Sequence, residues 1–138
     1  MKNMMKDTQS NSNEQNVELI KMDPDEGTKI TGFLTELNFE IHLNKEKIGT
    51  AHLNALPFSD YNLEWIQFDD PYIGKGYLRK TLKAIMDYFN SYYLYLESPE
   101  KNLAMYEHIG AKKIGYDKFR KTTYMKILER SLRKENTI

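Results

Sequence analysis

The chain has 138 residues, 40 % hydrophobic and 29 % charged, with 20 Lys and Arg balanced by 20 Asp and Glu. One globular domain is expected, able to bury roughly two-thirds of its unfolded surface. The absence of cysteine excludes disulfides, thiolate metal sites and a cysteine nucleophile, and no apolar run reaches the roughly 18 residues of a membrane span.

Residues 1–15 are polar and without hydrophobic period, so a disordered leader is expected ahead of a single domain over 16–138. The N-terminus lacks a secretory pattern, which points to the cytoplasm. A short strand is expected over 17–22, ended by the turn residues Asp23-Pro24-Asp25-Glu26-Gly27. Apolar and polar residues then alternate over 37–43, and 47–56 continues as a partner across Asn44-Lys45-Glu46, the pattern of a hairpin. Leu56-Pro57-Phe58-Ser59-Asp60 interrupts the alternation before a further strand over 63–68.

Leu78, Leu82, Ile85, Met86 and Phe89 recur at the spacing of one helical face and predict a helix over 77–90. The aromatic run Tyr92-Tyr93-Leu94-Tyr95-Leu96 reads as a buried strand. Ser98 as N-cap and Pro99 in the first turn would open a short helix to Ile109, which Gly110 stops. Strands over 111–116 and 122–127 follow, then a helical tail over 128–135. This is an α/β order with mixed strand directions. It is too short for a doubly wound dinucleotide fold and lacks the later acidic residue that would hold a ribose.

The segment Tyr72-Ile73-Gly74-Lys75-Gly76-Tyr77-Leu78-Arg79-Lys80 lies between a predicted strand and a predicted helix. Backbone N–H groups without intrahelical partners and the positive end of the helix dipole make such a turn a natural anion site. The charge along the chain agrees: residues 1–73 hold 6 Lys and Arg against 13 Asp and Glu, a balance of −7, and residues 74–138 hold 14 against 7, a balance of +7. A nucleotide phosphate, a nucleic acid or a solvated basic face would each fit this asymmetry.

Two segments together resemble the GNAT superfamily, the acyl-CoA-dependent N-acetyltransferases. Pro71-Tyr72-Ile73-Gly74-Lys75-Gly76-Tyr77-Leu78 is similar to the family's pyrophosphate loop, Gln/Arg-x-x-Gly-x-Gly/Ala. Leu103-Ala104-Met105-Tyr106-Glu107-His108-Ile109-Gly110-Ala111 is similar to its later helix and strand, and one strand separates the two segments as in the family. The resemblance covers 37–127. It implies a mixed, mostly antiparallel sheet with helices packed on it, splayed in the middle between the strands near 63–68 and 92–97. It further implies acetyl-CoA as co-substrate, no metal, and an amine acceptor, small molecule or protein, that these residues leave unidentified.

By the same resemblance, pantetheine would pair with the backbone near Ile66, Gln67 and Phe68. The pyrophosphate would sit on the N–H groups of Gly74, Lys75, Gly76, Leu78 and Arg79, with Ile73, Tyr77, Asn102 and Tyr106 also at the cofactor and Lys80 adding charge. Tyr106 aligns with the tyrosine that protonates the departing thiolate, while composition alone reads it as a core aromatic. Glu64 is the candidate base, directly or through water, with a solvated or hairpin-paired glutamate as its plain alternative. His42, His52 and His108 read as surface or structurally satisfied residues and make no metal set. Asp69 and Asp70 read as turn and capping residues.

Ile73 stands where the family has Gln or Arg, and Leu78 where it has a second small residue. The segment 23–36 has room for one short helix, where the family has two, so the N-terminal helical region is reduced. An open acceptor groove, or one completed by a homodimer partner, follows from that. These departures motivate a second reading, a non-catalytic binding protein acting through a protein partner. Nucleic-acid binding by the basic half is a third reading, without any recognition motif to support it.

Overall fold

The computed structural model describes residues 16–22 and 35–134; the expected leader and nearly all of segment 23–36 lie outside them. Seven strands form one sheet: β1 (Val17–Lys21), β2 (Thr35–Leu43), β3 (Glu46–Leu56), β4 (Asp60–Phe68), β5 (Tyr93–Pro99), β6 (Lys112–Asp117) and β7 (Thr122–Leu128). Their spatial order is β1-β2-β3-β4-β5-β7-β6. Three helices accompany them among the described residues, α1 (Tyr77–Phe89), α2 (Leu103–His108) and α3 (Glu129–Lys134).

The hairpin expected from alternation is β2–β3. Asn44 and Lys45 carry φ of 53° and 70°, the left-handed pair that matches the twist of a two-residue turn. Phe39, Ile41, Ala51 and Leu53 are buried on one face, and α1 lays its apolar stripe on that face. Leu82 and Ile85 are fully buried, each worth roughly 1.5–3 kcal/mol of transfer free energy. The ring of Phe89 stacks on Tyr61 at 3.9 Å and meets Phe39 edge-on at 6.0 Å. Lys83 ties α1 to α3 through Glu129, at 3.0 Å.

Five of the six neighbouring strand pairs, β1–β2, β2–β3, β3–β4, β5–β7 and β6–β7, are antiparallel; β4 and β5 are parallel, as a helical crossover requires. Their contact is brief: only Asn62 with Tyr95 and Leu63 with Leu96 are in register. Beyond them the strands part. A β-bulge causes the divergence, because His52 pairs with Trp65 while Leu53 pairs with Leu63, leaving Glu64 as the extra residue of β4. A bulge bends its strand and increases the local twist.

One expectation is corrected. Ser98 does not cap a helix and Pro99 does not begin one; β5 continues through both, held by β7 pairing Ser98 with Thr123 and Pro99 with Thr122. A strand end beside an opening tolerates proline. A 3-10 turn over Glu100–Asn102 intervenes, and α2 begins at Leu103. At its start β4 is also longer than the alternation indicated, taking in Asp60, Tyr61 and Asn62.

Candidate functional site

The wedge between β4 and β5 leaves residues 65–68 paired with β3 on one side and, among the described residues, unpaired on the other, facing the outer part of β5. Ile66 and Phe68 turn their side chains to the core, and Gln67 is exposed. Gly49 sets this geometry from behind. A Cβ there would collide with the Gln67 carbonyl, so glycine lets β3 approach the end of β4 closely.

The glycine loop opens α1 at the end of the same strand. Gly74 and Gly76 have φ of 73° and 88°, and a Cβ on either would meet nothing within 4 Å. Glycine is required there by backbone conformation and not by crowding. Gly76 is the N-cap of α1 and no side chain caps the helix, so the first-turn N–H groups face outward uncapped. Tyr72 and Tyr77 meet edge-on at 5.9 Å beside the loop. Leu78 packs against the core cluster, which keeps its bulk inside. Ile73, in the position of the family's Gln or Arg, is 58 % exposed. Lys75 and Lys80 are exposed, Arg79 is half-buried, and Asn102 stands at the start of α2 without a capping bond.

On the sheet face opposite α1, a chain of polar contacts crosses the wedge. Asn38 Oδ1 lies 2.6 Å from His52 Nδ1, and His52 Nε2 lies 3.1 Å from Glu64 Oε1. With Nδ1–H donating to the Asn38 oxygen, Nε2 is the ring atom turned to the Glu64 carboxylate. The indole of Trp65 stacks on the His52 ring at 5.7 Å. Glu64 Oε2 accepts a hydrogen bond from Arg120 Nη2 at 3.2 Å. The same nitrogen lies 3.1 Å from Glu97 Oε1, an ion pair without hydrogen-bond alignment. Glu97 is only 6 % exposed, and its other oxygen accepts from Asn62 Nδ2 at 2.8 Å. The Glu97 carboxylate, and Glu64 after it, hold the Arg120 guanidinium still more firmly protonated.

Arg120 comes from the turn between β6 and β7. Asp117 builds that turn: its Oδ1 accepts the N–H groups of Phe119 and Arg120 at 2.9 and 3.1 Å, and its Oδ2 accepts the Tyr124 hydroxyl at 3.1 Å. The Arg120 N–H, first among these donors, holds the Asp117 carboxyl below the usual carboxylate range.

Tyr106 is 2 % exposed on α2 and belongs to the core cluster. Burial pushes its phenol up to about 12 from 10.0, so the hydroxyl keeps its proton at any working pH. The unfolded chain releases that proton near 10 and the folded chain only near 12. The folded state therefore binds more protons in that window, and the contribution is intact below pH 10 and lost as pH rises through about 12. Denaturant unfolding across this window should show the native chain losing about 2–3 kcal/mol more than Tyr106→Phe. Equal losses would remove burial as the cause.

No hydrogen bond or ion pair joins Tyr106 to Glu64; the first is in the core and the second on the polar face. Among the described residues His42 pairs only with Glu40, at 3.0 Å, and His108 is exposed at the end of α2. Asp70 opens the 3-10 turn Asp70–Tyr72 and Asp69 is its N-cap. Among the described residues no three His, Asp or Glu side chains gather as metal ligands, and no helix is long and apolar enough to cross a membrane. Sequence reasoning missed Glu97 and Arg120 altogether and gave His52 no tie to Glu64. A charge ending an aromatic strand was the sole signal for Glu97.

No family model and no curated protein matches this sequence. Among solved structures the chain is similar to a spermidine N-acetyltransferase SpeG chimera from Vibrio cholerae and hSSAT, at 22 % identity and TM-score 0.54, over 72 % of this chain and 71 % of that one. A second such chimera is similar at 17 % identity and TM-score 0.58, over 86 % and 99 %. An acetyltransferase from Thermus thermophilus gives 17 % identity and TM-score 0.58, over 67 % and 64 %, so the chain spans just under two-thirds of that protein. At these identities the likeness is one of fold.

Proposed function

We propose that this chain, whose fold is that of the GNAT acetyltransferases, is itself an N-acetyltransferase that uses acetyl-CoA and acts on an amine. The observation that carries this reading is the conjunction of an uncapped, glycine-opened helix with an unpaired strand edge beside it. A pyrophosphate fits the first and an extended amide-bearing arm fits the second. Acetyl-CoA would supply the acetyl group as a thioester open to attack by an amine.

The N–H groups of the Gly74–Gly76 loop and the first turn of α1 would hold the pyrophosphate, with Lys75 and Arg79 adding charge. The free backbone of residues 66–68 would align the arm. Glu64 would take a proton from the incoming ammonium, its other oxygen steadied by His52. Tyr106, protonated at neutral pH, would donate to the departing sulfur. The spermidine substrate of the SpeG neighbours makes a polyamine a reasonable first acceptor to try.

The test is thermal. Acetyl-CoA at about a hundred times its Kd should stabilise the folded chain by about 2.7 kcal/mol, read as a rise in Tm. A folded protein whose Tm does not move at millimolar acetyl-CoA would rule the reading out. CoA found by mass spectrometry in the purified protein would support it.

A further inference from the structure

Two carboxylates stand side by side where β4 and β5 part. Asn62 and Leu63 are in register with Tyr95 and Leu96, so Glu64 and Glu97 are the next residues on each strand. Burying like charges together is unfavourable unless a cation lies between them. Arg120 Nη2 is that cation, 3.2 Å from Glu64 and 3.1 Å from Glu97. It is an unusual tenant, since its side chain is 50 % exposed while that of Glu97 is 6 % exposed. Its donor is aligned on Glu64 alone, which leaves the buried Glu97 Oε1 without a hydrogen bond. The turn that carries Arg120 is fastened through its backbone by Asp117, so the side chain can swing away while the turn stays in place.

We propose that Arg120 holds the place of the acceptor's ammonium in the free protein and is displaced when the acceptor binds. The site thereby selects amines that are cationic in solution. This inference rests on the acetyltransferase reading for its meaning but not for its test. A cationic amine that evicts Arg120 returns a positive charge to both carboxylates, and its N–H groups can satisfy Glu97 Oε1. A neutral amine that evicts Arg120 leaves a buried carboxylate without a counter-charge, which is strongly unfavourable. Arg120 is thus a specificity-determining residue and a built-in competitor.

Calorimetric titration of the full chain with 1,4-diaminobutane and with aniline tests this. Arg120→Ala should bind the diamine at least about tenfold more tightly than the native protein, because the competitor is gone. Affinity for aniline should not rise. Adding Glu97→Gln to Arg120→Ala should abolish the gain; should that double variant fail to fold, Arg120→Ala with Glu64→Gln carries the same expectation. Equal or weaker diamine binding by Arg120→Ala would overturn the proposal, as would a gain that survives loss of the carboxylate. The acetyl-CoA shift in Tm is measured alongside and should be the same in Arg120→Ala. Its absence in the native chain would remove the acetyltransferase reading and leave the diamine result standing on its own.

Discussion

Glu64→Gln is expected to lower kcat/KM for the amine acceptor by about 10²–10³-fold at neutral pH, within the range that a positioned general base contributes. The amide cannot accept a proton, yet it has the same size, and Glu64 is only half-buried at the bulge. Stability should change little, so the loss would not be one of folding. The deficit should persist as pH rises toward the acceptor's own pKa, because a neutral amine does not replace Arg120 between the carboxylates and the bound ammonium must still lose its proton in the site. Steady-state rates from neutral to alkaline pH check both points. An unchanged rate at neutral pH would mean that water alone takes the proton and that Glu64 only pairs with His52 and Arg120.

The second large effect concerns binding. Gly76→Glu should abolish the rise in Tm produced by acetyl-CoA, a loss of roughly 2.7 kcal/mol of linkage stabilisation at a hundredfold excess over Kd. Two physical terms act together. The residue has φ of 88°, a conformation that costs an L side chain about 1–2 kcal/mol. A carboxylate at the N-cap would also take the favourable position at the positive end of the α1 dipole that the phosphate would otherwise fill. Nothing within 4 Å obstructs a Cβ there, so the variant should fold. Gly76→Ala carries the backbone strain without the charge, and it should keep part of the shift. If both variants lost it equally, conformation and not charge would be the cause.

The alternation of 37–43 and 47–56, the stripe Leu78-Leu82-Ile85-Met86-Phe89 and the glycine turn are local signals, and the corresponding elements formed within a few residues of expectation. Ser98-Pro99 misled because capping and strand termination use the same residue types, and pairing with β7 decided between them. The divergence of β4 from β5 came from resemblance alone, since its physical cause, the bulge at Glu64, depends on how β3 aligns with β4. Glu64 and Tyr106 were visible one at a time. The Asn38–His52–Glu64–Arg120–Glu97 chain draws on five separate segments. Side chains that far apart in sequence leave no periodic trace of their meeting.

The brief β4–β5 contact has a mechanical consequence. As a sheet, the molecule is two leaves, β1–β4 and β5–β7, stitched by two residue pairs. The polypeptide passes from one leaf to the other once, through residues 69–92, and that strap carries the Gly74–Gly76 turn and α1. An extended guest entering the seam would add backbone bonds without breaking a ladder. If it also reached the glycine turn, it would act as a third suture, joining both leaves and the strap between them.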